Sequence, residues 1–275
     1  MRYTKMHGAG NSFLLTESLH GELAGEDLGV LARRLCSEET GPGADGMIVL
    51  VPAADADLGM LFFNSDGSRG EMCGNGARCL VRYAVEHGLA RDPALVRICT
   101  AAGLVTGCRV SEELYEIRLN DPSVIDLHRS VQADGVVFDC AYTELGEPGI
   151  PHAVVEVPLS ALGDSARLRE IGRIIRRSSV FPRGANVSFA AVTGPDRVQA
   201  VTYERGVEDL TLACGTGCGA IAVCLILRGR LPGPAVAIDM PGGHLSVSLR
   251  HNGVSAWDLF LTGPTAVVEE GSFSI

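Results

Sequence analysis

A weak internal repeat is the feature that most restricts how this chain of 275 residues can fold. The segment from Glu71 to Ala77 recurs in outline from Thr211 to Gly217, and each copy places Cys-Gly-x-Gly before an apolar stretch. The two cysteines, Cys73 and Cys214, are 141 residues apart (214 − 73), about half of the chain. The repeat therefore predicts two similar halves, each with a cysteine at the beginning of a helix.

Short apolar runs alternate with turns of Gly, Asp, Asn and Ser along the chain, which favours many short strands. Segment 165–177 has apolar residues at helical spacing on one face, and 77–87 ends before a glycine suited to a helix C-terminus. We predict helices there and also at 27–36 and 217–227. The best turn-like boundary is residues 120–123. We therefore predict an α+β fold with an N-terminal half of residues 1–121 and a C-terminal half of residues 122–275, whose last residues can pack back on the first half.

Charge and composition exclude several classes of protein. The 33 acidic against 23 basic residues give a net charge of −10, which argues against nucleic-acid or anionic-membrane partners. No apolar run approaches the roughly 18 residues of a membrane helix, and the N-terminus has no secretory signal pattern. We therefore expect a cytoplasmic protein, in which the nine cysteines are thiols rather than disulfides.

The same inventory argues against cofactors. Lys5 is the only lysine, and its place in a strand-like segment near the terminus does not suit the Schiff base of a pyridoxal-phosphate enzyme. The cysteines near the repeat lack the C-x-x-C pairs typical of zinc sites. We expect neither a cofactor nor a metal.

A cysteine at a helix N-terminus lies at the positive end of the helix dipole, which lowers its pKa. Adjacent N–H groups can bind a carboxylate or a developing enediolate. A thiolate on one face of a carbon and a thiol on the other is the arrangement that inverts a stereocentre. One Cys-Gly-x-Gly alone is more often a buried structural cysteine, but two copies half a chain apart favour catalysis.

Polar turns supply groups that suit a zwitterionic amino acid. Arg205 can hold a carboxylate by two hydrogen bonds, and His152 can relay protons to or from a thiol. Taken singly, each of these turns is more often an ordinary turn. The candidate residues in them are Asn11, Asn64, His152, Asn186, Glu204 and Arg205.

These motifs resemble the diaminopimelate epimerase family nearly from end to end. The similar segments are residues 5–13, 43–46, 63–68, 72–79, 151–152, 186–187, 203–206, 213–217 and 241–243, in that order. The resemblance implies two similar domains, each a strand-rich, barrel-like half around a central helix. It also implies a cofactor-independent, commonly homodimeric epimerase of lysine and peptidoglycan-precursor synthesis, which converts LL-2,6-diaminopimelate to the meso form.

By the same resemblance, Cys73 and Cys214 are the acid/base residues, and His152 and Glu204 assist them. The residues implied to hold substrate are Asn11, Asn64, Gly74, Asn75, Asn186, Glu204, Arg205, Gly215 and Thr216.

Two positions depart from the family pattern. Ile150 stands where the family has an asparagine that contacts substrate, and Ser12 replaces an aspartate. An apolar residue at position 150 predicts either rearranged contacts or a different amino-acid substrate. The alternatives are therefore the same two-cysteine chemistry on another amino acid, or a non-catalytic protein that binds an amino acid.

Overall fold

The computed structural model describes residues 1–70 and 72–275, so Glu71, the first residue of the repeat, lies outside the described residues. The described chain forms the helices α1 (Leu28–Cys36), α2 (Gly74–Glu86), α3 (Ser165–Arg176) and α4 (Gly215–Leu227), with a 3₁₀ turn at Leu159–Gly163. The strands are β1 (Arg2–Gly8), β2 (Asn11–Glu17), β3 (Gly46–Val51), β4 (Leu58–Asn64), β5 (Arg69–Gly70), β6 (Val96–Thr100), β7 (Gly103–Arg109), β8 (Leu114–Arg118), β9 (Pro122–Ala133), β10 (Val136–Gly146), β11 (Gly149–Glu156), β12 (Asn186–Val192), β13 (Arg197–Glu204), β14 (Asp209–Thr211), β15 (Ala235–Met240), β16 (Gly243–His251) and β17 (Ala256–Ser272).

These elements divide into two compact units. The first unit contains Met1–Ile117 together with Thr262–Ile275, and the second contains Arg118–Leu261. The last residues of the chain belong to the first unit, where the end of β17 runs antiparallel to β1 from Arg2 opposite Ser272 to Gly8 opposite Thr265.

Strand pairing repeats from one unit to the other. In the first unit β1 and β2 form a hairpin, β2 runs parallel to β3, β3 is antiparallel to β4, and β4 pairs with both β5 and β6. In the second unit β10, β11, β12, β13, β14 and β15 pair in the same way. The prediction of two similar halves in an α+β fold is thus confirmed.

Each unit is built around one of the two helices of the repeat. Helix α2 contacts β1, β2, β6 and β7, and α4 contacts β10, β11, β12, β15 and β16. Helix α4 is buried along nearly its whole length, as expected for a helix whose residues are apolar on every side. Both units are therefore strand-rich and barrel-like around a central helix.

The other two helices cover the outside of the strands with one apolar face. Asp27 caps α1, since its carboxylate accepts from the N–H groups of Gly29 and Val30 at 3.0 and 3.1 Å. In α3 the residues Leu168 and Ile171 are buried against β9, β12 and β13. The longest described helices have thirteen residues, and none has the length and apolarity that crossing a bilayer requires.

The central helices begin earlier than the sequence predicted. Helix α2 begins at Gly74 rather than at residue 77, and α4 begins at Gly215 rather than at residue 217, so both predicted starts were wrong. Glycine has a low intrinsic helix propensity, but packing against the strands determines the first turn. As a consequence, each repeat cysteine is itself the N-cap of its helix.

Candidate active site

The first repeat thiol lies at the beginning of α2. Cys73 has an extended backbone (φ −130°, ψ 118°) and is half-buried. Its carbonyl accepts the first helical hydrogen bond, from the Ala77 N–H at 2.8 Å. A side chain at Gly76 has no room, because a Cβ there would lie 2.8 Å from Ile48 Cδ1. The small residues after Cys73 thus bring the helix N-terminus close to the strands.

Three amide side chains of the first unit were predicted to hold substrate. Asn75, in the first turn of α2, is buried, and its Nδ2 donates to Asn11 Oδ1 at 2.7 Å. Asn64 is exposed at the end of β4, where its Nδ2 donates to Ser68 Oγ at 2.9 Å. The structure therefore brings Asn11 and Asn75 together beside Cys73 and Gly74, whereas Asn64 is engaged within its own turn.

The second repeat thiol has the same backbone geometry. Cys214 is the N-cap of α4 with φ −125° and ψ 108°, and its carbonyl accepts from the Cys218 N–H at 2.9 Å. Unlike Cys73, it is buried. Its Sγ lies 3.7 Å from Thr216 Oγ1, and Gly217 leaves it space, because a Cβ there would be 3.2 Å from the sulfur. The two copies of the repeat thus form the same local structure with different burial.

Cys214 and Glu204 form a coupled pair within the second unit. Glu204 ends β13 and is half-buried. Burial raises the pKa of its carboxyl, while hydrogen bonds from the Thr211 hydroxyl and the Cys214 thiol lower it. Burial and the Glu204 charge hold the pKa of the Cys214 thiol well above its ordinary value, with a partial offset from the Thr216 hydroxyl. The Cys214 thiol is therefore protonated at rest, contrary to the lowered pKa that its place at a helix N-terminus predicts.

His152 is completely buried in β11, paired with Asn186 at the beginning of the parallel strand β12. Neither of its ring nitrogens has a hydrogen-bond partner among the described residues. Burial, with a smaller contribution from the positive charge of Arg205, lowers its pKa to about 3. The imidazole is therefore neutral, with two ring nitrogens that have no partner among the described residues, which is unusual for a buried side chain.

Arg205 follows β13 and is half-buried. Its backbone N–H donates to Asn186 Oδ1 at 2.8 Å, and its Nη1 donates to the Arg183 carbonyl at 3.1 Å. Arg183 in turn donates to the carboxylate of Glu144 and, at 3.1 Å, to the Gly149 carbonyl. This network orders the guanidinium that was predicted to hold a carboxylate.

Ile150, the departure from the family pattern, lies next to this network. It is half-buried and stands opposite Leu145 in the β10–β11 hairpin. Its side chain offers no hydrogen bond, so the polar groups near this position belong to Arg183 and Glu144.

Sequence reasoning missed a pair of buried hydroxyls beside Gly217, in the first turn of α4. Ser188 and Thr202 are fully buried and share a hydrogen bond of 2.9 Å, and Thr202 Oγ1 would lie 3.1 Å from a Cβ at Gly217. Their contact follows from the register of β12 and β13, which no local motif encodes. In the described part of the chain, no group of three or more His, Cys, Asp or Glu side chains is placed to hold a metal ion.

Comparison with known proteins agrees with this geometry. The family model described as "Diaminopimelate epimerase" matches residues 3–125 and 147–268. The chain is 34% identical to a diaminopimelate epimerase of Caldanaerobacter subterraneus, over 100% of both chains. It is 32% identical to one of Geobacillus thermodenitrificans, over 98% of this chain and 96% of the relative.

Solved structures resemble the fold at lower identity. A probable proline racemase from Agrobacterium radiobacter has a TM-score of 0.71 at 20% identity, covering 100% of this chain and 93% of the other. A Bacillus anthracis phenazine biosynthesis protein has a TM-score of 0.78 at 13% identity, covering 100% and 99%. These likenesses concern the fold alone.

Proposed function

Because the chain belongs to the diaminopimelate epimerase family and is thus an amino-acid epimerase, we propose that it interconverts LL- and meso-2,6-diaminopimelate through two cysteines, without a cofactor. The observation that carries the proposal is the pair of N-cap thiols, Cys73 and Cys214, with matching backbone geometry on topologically equivalent helices. The reaction would serve lysine and peptidoglycan-precursor synthesis.

In the proposed reaction one thiolate removes the proton from the substrate α-carbon, and the other thiol delivers its own proton to the opposite face. The configuration at the α-carbon inverts. The sulfur that was a thiolate now carries a proton, and the other sulfur has become the thiolate. Glu204 accepts the proton of Cys214 when that thiol must become a thiolate, since its carboxylate already accepts from the thiol. Backbone N–H groups at the beginnings of α2 and α4 stabilise the negative charge that develops on the substrate.

The polar groups of the second unit suit the substrate's charges. Arg205 would bind a carboxylate by two hydrogen bonds, while Asn186, which accepts from the Arg205 N–H, fixes the start of that loop. His152 is neutral and its ring nitrogens are unpartnered among the described residues. The family resemblance gives His152 the role of assisting the proton transfers, and a neutral imidazole brings one N–H donor and one acceptor nitrogen to that role.

The remaining substrate contacts are proposed from the family resemblance. Asn11, Asn64 and Asn75 would supply amides, and Gly74, Gly215 and Thr216 would supply the first-turn N–H groups. We further propose a homodimer in the reducing cytoplasm, where the thiols stay reduced, with a small amino acid as its ligand and neither nucleic acid nor membrane as a partner.

Ile150 favours one alternative, the same chemistry on another amino acid. An apolar side chain cannot replace the amide of an asparagine, so a substrate group that this amide would bind loses a hydrogen bond. A substrate panel distinguishes the two readings. Turnover of diaminopimelate with other amino acids inert supports the leading proposal, and the reverse result supports the alternative.

The test is α-proton exchange in D₂O. Reduced protein is incubated with LL-diaminopimelate without added cofactor, and the α-hydrogen signal and the isomer ratio are followed by NMR. We expect deuterium uptake with formation of the meso isomer. Cys73→Ala and Cys214→Ala should each lower turnover by roughly 10²-fold or more, whereas Cys99→Ala, which removes an exposed thiol, should not.

Two outcomes would contradict the proposal. Full turnover by both alanine variants would eliminate the two-cysteine mechanism. Binding of an amino acid by folded, reduced protein without any exchange would point instead to a non-catalytic binding protein.

A further inference from the structure

Arg78, in the second turn of α2, is the largest fully buried side chain among the described residues, with 0% exposure. Burying a guanidinium is costly, so the bonds that it makes carry unusual weight. Its Nη2 donates to Asn75 Oδ1 at 2.8 Å. Gly8 on β1 closes over the same turn, since a Cβ there would lie 2.9 Å from the Asn75 carbonyl oxygen and 3.3 Å from Cys79 Sγ.

The chemistry of the guanidinium determines how the neighbouring amides are oriented. Arg has five N–H donors and no acceptor, so the Asn75 atom that faces it must be the oxygen. The Asn75 Nδ2 is then the donor that reaches Asn11 Oδ1 at 2.7 Å. Because the Asn11 oxygen already accepts, what Asn11 offers a ligand is its Nδ2, a donor. Arg78 thus donates to Asn75, and Asn75 donates to Asn11, so both hydrogen bonds point from the buried cation toward Asn11.

We propose that Arg78 is a positioning residue that fixes Asn75 and Asn11 so that Asn11 presents a donor to the substrate, which selects a carboxylate over a neutral carboxamide. A carboxylate only accepts hydrogen bonds, whereas a carboxamide also needs acceptors for its own N–H groups. Without the guanidinium, no donor-only group at position 78 requires the Asn75 oxygen to face it, and the orientation passed on to Asn11 is no longer fixed from that side. The inference rests on the proposed function for the identity of the ligand, but not for the orientation of the amides.

The ligand test compares dissociation constants of LL-diaminopimelate and of its bis-carboxamide. In Arg78→Gln the glutamine can donate or accept, so we expect the preference for the carboxylate to fall roughly tenfold. Arg78→Lys has donors only and should keep the preference. Arg82→Gln makes the same change one turn further along α2 and should also keep it.

A second variant leaves the guanidinium in place. Asn75→Asp still accepts from Arg78 but has no N–H for Asn11, so it should lower the preference in the same way while retaining the buried cation. A merely structural role for Arg78 predicts instead that both ligands weaken equally and that Asn75→Asp keeps the ratio. That result would overturn the proposal.

The orientation itself is measured without ligand, by NMR of protein labelled with ¹⁵N at asparagine side chains. The Asn75 amide protons should exchange slowly in the wild type and in Arg78→Lys, and faster in Arg78→Gln. If the wild type binds no diaminopimelate, the proposed function fails, but this measurement still decides the inference. Unchanged Asn75 and Asn11 signals in Arg78→Gln would refute it.

Discussion

Replacing His152 should remove a large part of the acid sensitivity of folding. Burial holds the pKa of this histidine at about 3 in the folded chain, whereas an unfolded histidine titrates near 6.5. Between these two values the unfolded state binds a proton that the folded state excludes. Stability from the neutral imidazole is therefore complete above pH 6.5 and is lost as the pH falls toward 3.

The magnitude follows from the two pKa values. At pH 5 an unfolded histidine is about 97% protonated, and the folded one about 1%, from pKa values of about 6.5 and 3. At about 1.36 kcal/mol per pKa unit, lowering the pH from 7 to 5 should cost the folded state about 2 kcal/mol through His152 alone. This is a sizeable share of the free energy of unfolding of a typical domain.

The assay is urea unfolding of reduced protein at pH 7 and pH 5. His152→Gln should lose about 2 kcal/mol less stability than the wild type between these pH values, because it has no proton to exclude. The matched control is His20→Asn, which replaces an exposed histidine and should keep the wild-type loss. Equal losses in the wild type and His152→Gln would refute the reasoning, as would a wild-type His152 ring signal that titrates in NMR above pH 5.

Two further predictions concern the Cys214 end of the site. Gly217→Ala should lower kcat roughly tenfold to a hundredfold, because the new Cβ would lie 3.2 Å from Cys214 Sγ and shift the sulfur. Its thermal stability should change little, because alanine favours the helix. Gly219→Ala should instead lower the melting temperature and leave kcat unchanged, because its Cβ would lie 2.8 Å from Leu119 Cδ1. Thermal melts and steady-state kinetics measure both quantities, and the same behaviour in the two variants would contradict the prediction. Glu204→Gln should lower kcat by roughly 10²-fold and remove the acid limb of the kcat/KM profile, because activity requires the ionised carboxylate and is lost below its raised pKa. A pH profile with the acid limb retained in the glutamine variant would show that another group causes it.

Helices and strands were predicted correctly where neighbouring residues in the sequence indicate them. Helices α1, α2 and α3 each have an apolar face, whereas α4 is a continuous apolar stretch. Helices α1 and α3 also begin at an aspartate cap. Strand β9 (Pro122–Ala133) was missed, since only Val131 and Ala133 of its residues are buried and its apolar residues do not alternate cleanly. The end of β17 was also missed, because Gly263 and Pro264 interrupt the strand pattern, and its pairing partner β1 is at the other end of the chain.

The same distinction applies to the candidate site. Cysteines at helix starts can be recognised from neighbouring residues, and the structure places Cys73 and Cys214 at N-caps. The buried hydroxyl pair beside Gly217 could not be predicted, because Ser188 and Thr202 meet only through the register of two strands. Nor could the burial of Arg78, since a charged residue in a helix is usually on the solvated face.

The two units use one topology for different chemistry. The residue that pairs with the first residue of β3 is Phe13, and its counterpart opposite the first residue of β12 is His152. The equivalent strands β4 and β13 end at Asn64 and Glu204. Ionisable groups thus replace neutral ones at corresponding positions of the second unit. A two-base epimerase needs one thiol charged and the other protonated when substrate binds, and identical surroundings would give both thiols the same pKa. In the two-cysteine mechanism that we propose, divergence of these side chains would separate the two protonation states, which the shared backbone geometry alone cannot do.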